Sequence, residues 1–201
     1  MKLNIGCGHK KLEGYINIDS VASVNPDLLH DITQPLPYED LSVDAILADS
    51  ILEHFDKYLR FIVFYNWSRV LKIGGIINVK VPDFKVILTK FKKFGFDNFV
   101  DTIFGENMLA SKTYCGHFGN HKFAYSPKSL KSFVHHFGID DAKITHDGYD
   151  MILVGTKSRH VSQGELDTII IHSHANSFGD TPDLPLHFVR KKISEFKKGT
   201  D

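Results

Sequence analysis

The sequence predicts an α/β protein with a Rossmann-like, doubly wound and mostly parallel sheet that finishes in an antiparallel hairpin strand. Three observations carry that expectation. Short apolar runs bounded by glycine and aspartate recur at residues 3–5, 15–18, 43–48 and 76–81, the pattern of strands buried on both faces. Between the last two, Phe55, Leu59, Ile62, Val63, Trp67, Val70 and Leu71 fall at helical spacing and Gly74-Gly75 supply a stop, so strand, helix, strand reads as a crossover unit. Asp147-Gly148 then separates two further strand candidates, residues 142–145 and 149–154, a strong short-range hairpin signal.

The other elements follow in order. A third short strand is expected at residues 27–30. Residues 83–125 break the alternating rhythm and read as an insertion over one end of the sheet, with a helix through KVILTKFKKF and an irregular part through CGHFGNH. PKSLKSFVHHFG has a serine and proline suited to a helix start and a glycine, Gly138, at its end. Residues 1–157 form the core and 158–201 an extension of the same domain. That extension has a strand-like apolar run at 168–171, on which His172 and His174 alternate as a solvated face, then a Pro-rich turn at 181–185 and a basic helix at 187–198.

A chain of 201 residues can bury a substantial core without disulfides or a structural metal. Lysine plus arginine equals aspartate plus glutamate at 24 each, so no global basic field draws the chain onto phosphate backbones, and a nucleic-acid partner is not expected. Cys7 and Cys115 stand in no metal-ligand spacing, and no signal-peptide pattern opens the chain. No apolar run approaches the roughly 20 residues a bilayer span needs. The expectation is a cytoplasmic protein without integral membrane contact.

The stretch LNIGCG carries the first functional hint. Glycines directly after a strand let the backbone approach a ligand where a side chain would collide, and they free peptide N–H groups for it. The third glycine of the dinucleotide fingerprint is missing, since Lys11 occupies its place. Asp19, at the end of the second strand, can accept both hydroxyl hydrogen bonds of a ribose. Asp31, after the third, can accept from the exocyclic amine of adenine, with Leu36-Pro37 as an apolar wall beside it. Glycine turn and two acids arrive in order from three successive strand ends, which points to a nucleoside-containing cofactor.

With LNIGCG, INIDS, DITQPLPYEDLSVDAI, SILEHF, RVLKIGG, VPDF and HKFAYSPKSLKSFVHHFGI in place, residues 1 to about 157 resemble the class I S-adenosylmethionine-dependent methyltransferases, particularly the small methyltransferase type 11-like group. The resemblance implies S-adenosyl-L-methionine as cofactor, held by Asn4, Gly6, Cys7, Gly8, Asp19, Ser20, Asp31, Ile32, Asp49 and Ser50. Two departures stand out. Only residues 7–14 separate the first two strands, fewer than the dozen or so of a usual parallel crossover, and Ile73 replaces the proline of the family's RVLKPGG.

An adenine-modifying DNA enzyme would carry Asn/Asp-Pro-Pro-aromatic where this chain has ADSI, and no Pro-Cys nucleophile for pyrimidine carbons is present. A small-molecule or sugar/glycan acceptor remains, with a hydroxyl preferred. A hydroxyl needs a base, and His54, His117 and His121 have suitable proton affinity. Glu53 reads as a helix-start acid. In some relatives a metal-binding glutamate precedes such a Glu-His pair, but Ser50 stands in that place here and no metal is expected. A noncatalytic S-adenosylmethionine-binding module and a nicotinamide-dependent oxidoreductase are the alternatives.

Overall fold

The computed structural model describes residues 1–94, 100, 103–104 and 120–178. Seven strands form one sheet: β1 (Lys2–Ile5), β2 (Ile16–Asp19), β3 (Leu28–Leu29), β4 (Val43–Asp49), β5 (Leu71–Pro82), β6 (Lys143–Asp147) and β7 (Asp150–Thr156). Their spatial order is β3-β2-β1-β4-β5-β7-β6, with β7 antiparallel to both neighbours and the β3 to β5 pairings parallel. Helices given in full by the described residues are α1 (Leu59–Val70), α2 (Phe84–Phe94), α3 (Pro127–His135) and α4 (Gln163–Phe178).

The first crossover is a turn and not a helix. Residues 6–15 carry the chain from β1 to the parallel β2, held by side-chain bonds in place of helical packing. Asn4 and Asn17, both buried, form the centre. The Asn4 Nδ2 donates to Asn17 Oδ1 at 2.9 Å and to the Lys10 carbonyl at 2.9 Å, while the Leu12 amide also reaches Asn17 Oδ1 at 2.8 Å. Asn17 in turn donates its own N–H and its Nδ2 to Asp27 Oδ2, at 2.8 and 2.7 Å. Those bonds hold the Asp27 carboxyl below the ordinary carboxylate range. Every buried polar atom of such a clamp finds a partner, which is what makes it affordable in a core.

Helix α1 is buried almost all round, with Phe61, Ile62, Val63, Phe64, Trp67 and Val70 at 2 % exposure or less. A helix apolar on every side must be covered on every side. Phe64 packs on Phe133 of α3 and on Phe137, with ring centroids 5.1 and 5.0 Å apart, and α4 adds Leu166 and Ile170 to the same core. Its beginning differs from the sequence expectation. Leu52–His54 is a separate 3-10 turn, and α1 starts only at Leu59, where Asp56 Oδ1 accepts the Tyr58 and Leu59 amides. Its end also comes early. Leu71 is already extended, because it is buried in the sheet beside Val43, so the glycines at 74 and 75 shape an irregularity within β5.

The hairpin forms as expected, but Asp147 pairs with Asp150, so its two-residue turn is Gly148-Tyr149, one position later. Ser126 caps α3 through a reciprocal bond pair with Ser129. The strand expected at 168–171 is a correction: these residues lie in α4, with His172 and His174 in the same helix. The overlooked signal is Ser162-x-x-Glu165, whose Ser162 Oγ accepts the Glu165 amide while Glu165 accepts the Ser162 amide. The expectations for 181–185 and 187–198, and most of CGHFGNH, lie outside the described residues.

Candidate functional site

A cavity of about 390 Å³ opens at the carboxyl ends of β1 and β4. Asn4, Gly6, Cys7, Gly8, Asp49 and Ser50 line it, together with His9, Lys10, Leu12 and Leu47. This is the edge at which open α/β sheets take ligands, beside the point where strand order reverses between β1 and β4.

Local geometry explains the residues at its rim. Gly6 has φ +64°, and a Cβ there would lie 2.1 Å from Ile51 Cδ1, so neither backbone nor space admits a side chain. The Cys7 amide donates to the Ile18 carbonyl at 3.0 Å, continuing the sheet by one bond. Burial, then the nearby Asp19 charge, pushes the Cys7 thiol up, so it stays protonated and unreactive at neutral pH. Ser50 adopts φ 57° without being glycine, its amide bonded to the Lys80 carbonyl and its Oγ to Asp49 Oδ1. Backbone strain of about 1–3 kcal/mol at a ligand edge is a mark of function more than of folding. Lys10 Nζ lies 3.2 Å from Asp49 Oδ2, joining the two sides of the cavity mouth.

Asp19 does not line the cavity, yet its Oδ2 accepts the Gly8 amide at 2.8 Å and its Oδ1 the Val21 amide at 2.9 Å. The acid at the end of β2 therefore holds the glycine turn in shape. Ser20 follows it on the surface. Asp31 is exposed, two residues beyond β3, and its Oδ1 accepts from the Thr33 amide and hydroxyl; Ile32 is buried. These four sit away from the cavity lining, towards the β2 and β3 ends.

The second cluster lies on the 3-10 turn after β4. The Glu53 carboxyl is 1 % exposed, and neither oxygen has a hydrogen-bond partner among the described residues. Burial pushes it up to about 8, with Asp150 and Asp49 adding to the effect. The segment leading into α3 crosses this turn: the Lys122 and Phe123 amides both donate to the Glu53 carbonyl, at 2.8 and 3.1 Å. His54 and His121 meet with ring centroids 5.1 Å apart, and one ligand atom from each of Glu53, His54 and His121 falls within 4.8 Å of the others. Burial lowers the His54 pKa, leaving a neutral imidazole whose Nδ1 faces the Asn120 carbonyl at 3.2 Å. Of the expected catalytic histidines, His54 and His121 are thus brought together; His117 lies outside the described residues.

No protein-family model and no curated protein matches the chain. Solved structures do match. A SAM-dependent methyltransferase from Methanosarcina mazei is 17 % identical with a TM-score of 0.54, covering 78 % of this chain and 91 % of its own. One from Archaeoglobus fulgidus is 16 % identical at TM-score 0.52, covering 78 % and 85 %. The 1,6-didemethyltoxoflavin-N1-methyltransferase of Burkholderia thailandensis, solved with 1,6-didemethyltoxoflavin and S-adenosylhomocysteine, is 11 % identical at TM-score 0.51, covering 79 % and 71 %. The fold is that of SAM-dependent methyltransferases. The seven-stranded order with its reversed β7 agrees with the sequence expectation for the sheet and its hairpin.

Within that fold, sequence reasoning missed His9, Lys10, Leu12 and Leu47 of the cavity lining, and it missed Glu53. The loop residues were hidden because a helix was the customary occupant of their segment. Glu53 was hidden because its burial depends on residues 120–125 folding back across it.

Proposed function

We propose that this protein transfers the methyl group of S-adenosyl-L-methionine to a small-molecule or sugar/glycan acceptor, at a hydroxyl. The observation that carries the reading is the Asp19 to Gly8 bond, which holds the glycine-flanked turn at the mouth of a 390 Å³ cavity on the ligand edge of a methyltransferase fold. Gly6, Cys7 and Gly8 supply close backbone approach, Asp19 the ribose contact and Asp31 with Ile32 the adenine end. Asn4, Asp49 and Ser50 lie towards the methionine part, and Ser20 borders the ribose.

A sulfonium methyl is already activated, so this chain has mainly to align an acceptor oxygen behind the methyl carbon and keep water from that line. The oxygen lone pair forms the new C–O bond as the C–S pair returns to sulfur, and the hydroxyl proton leaves to a base. The neutral imidazole of His54 and its neighbour His121, with His117 on the same segment, are the groups for that task. An insertion across residues 83–125 would close over the acceptor. Among the described residues no helix is long and apolar enough to cross a membrane; a cytoplasmic setting is part of the same proposal.

Calorimetric titration with S-adenosylmethionine and, in parallel, with reduced nicotinamide dinucleotide tests the reading. Micromolar-range binding of the first alone is expected; binding of the second alone overturns it in favour of an oxidoreductase. Release of S-adenosylhomocysteine on acceptor screening separates an enzyme from a noncatalytic binding module.

A further inference from the structure

We infer that Glu53, His54 and His121 bind a divalent transition-metal ion, zinc in the first instance, beside the carboxyl end of β4. This reverses the expectation of no metal, and it stands on geometry. The three side chains offer two imidazole nitrogens and one carboxylate oxygen within 4.8 Å of one another. Two histidines and a glutamate are a recurrent zinc set that leaves a coordination position open.

Glu53 is the independent witness. Both of its carboxyl oxygens are buried without a hydrogen-bond partner among the described residues, an arrangement that costs stability and that either a proton or a bound cation relieves. Among the described residues no arginine or lysine hydrogen-bonds to Glu53: Arg60, on the neighbouring helix turn, lies over the Phe123 ring at 3.7 Å and donates to the Lys57 carbonyl. A cation held by Glu53 resolves the deficit. A small void lies on the Glu53 and His121 side of the group, with His54 outside its lining. It measures about 10 Å³ and has apolar walls from Pro82, Phe84, Ile87 and Phe123. That is about the space of one small sphere.

His54 is oriented for the task. In the tautomer whose Nδ1–H donates to the Asn120 carbonyl, the lone pair stands on Nε2. A ligating histidine commonly has its other nitrogen fixed in this way. Zinc ligands at about 2.0–2.1 Å stand roughly 3.4 Å apart in a tetrahedron. Closing from the observed spread therefore takes side-chain rotations of about an ångström. Ser50 takes no part, since its Oγ is turned onto Asp49.

Occupancy of the site does not depend on the methyl-transfer reading, but its role rests on it: the open position would take the acceptor hydroxyl and polarise it, so His54 and His121 would act through the ion. Chelator-treated protein titrated with Co²⁺ and Zn²⁺ is expected to bind one ion per chain, with cobalt giving the visible absorption of a low-coordinate site. Glu53→Gln keeps the shape and loses the charge, and His121→Asn removes a ring nitrogen; each is expected to weaken zinc binding at least tenfold with circular dichroism unchanged. No binding by the parent protein, or equal affinity in both folded variants, overturns the proposal. If one variant does not fold, the other decides. S-adenosylmethionine titrated into the same samples keeps the two readings apart: zinc bound without the cofactor sinks the methyl-transfer reading alone, and cofactor bound without zinc sinks the metal site alone.

Discussion

The Asp19 carboxylate accepts the amide of Gly8 at 2.8 Å across the first crossover, tying the end of β2 to the turn after β1. One side chain thus shapes the glycine turn and, on the reading proposed above, contacts the ribose. The two duties can be separated by substitution. Asp19→Ala is expected to weaken S-adenosylmethionine binding by about 1.5–3 kcal/mol, roughly 10- to 150-fold, the value of hydrogen bonds to a charged group. Asp19→Asn keeps one carbonyl oxygen for Gly8 and is expected to retain the fold while binding at least tenfold more weakly. Equal affinity of Asp19→Asn and the parent in calorimetry would remove Asp19 from the ligand site.

Gly6→Ala places a methyl group on Ile51 and forces φ +64° on a residue with a Cβ. Overpacking of this kind costs about 1–3 kcal/mol. Denaturant unfolding should show that loss, and adding Ile51→Ala should recover the packing share while leaving roughly 1 kcal/mol from the backbone. Purely additive effects would show that the two residues do not meet.

Asn17→Leu keeps the branched outline of the side chain at the clamp centre, though it is bulkier, and removes its hydrogen bonds. Asn4, the Leu12 amide and Asp27 all lose a partner. A destabilisation of about 1–3 kcal/mol per buried group left unpaired is expected, with the loop at 7–15 becoming the first site of proteolysis. An unchanged melting temperature and cleavage pattern would mean that the clamp does not hold the crossover.

Lys157 is buried beneath α1, its ammonium donating to the Leu71 carbonyl at 2.8 Å and to that of Ser68. Burial lowers its pKa from 10.5 to about 8. The folded state therefore binds fewer protons than the unfolded state between those values, so stability from this group rises with pH across that window, and its penalty is fully present below it. Lys157→Met should remove the slope. Parallel stability curves for parent and variant from pH 8 to 10.5 would contradict the assignment.

Much of the architecture was legible because it rests on local signals. Apolar runs of period suited to buried strands, the Asp147-Gly148 hairpin and the Ser126-Pro127 helix start are short-range features, and the structure follows them within a residue or two except at the start of β5, which comes five residues early. Where the reading slipped, tertiary context had decided. Leu71 joins the sheet although its spacing continues the α1 stripe, because Val43 offers it a strand partner. Residues 168–171 look strand-like by β-branching, yet the Ser162 and Glu165 cap, four turns of helix and the waiting flank of α1 outweigh that preference. Gly6, Gly8, Asp49 and Ser50 could be placed at the cavity because strand ends converge by topology. Glu53 could not, since a residue's isolation from water is set by the segment that returns over it from about seventy positions away.

Helix α4 has a bearing on how this domain holds together. It supplies Leu166 and Ile170 to the far flank of α1, so a chain cut after Lys157 would keep all seven strands and still expose an oily ridge. Such a fragment should clump and refold poorly. The stretch past the last strand is, in mechanical terms, a keystone of the scaffold.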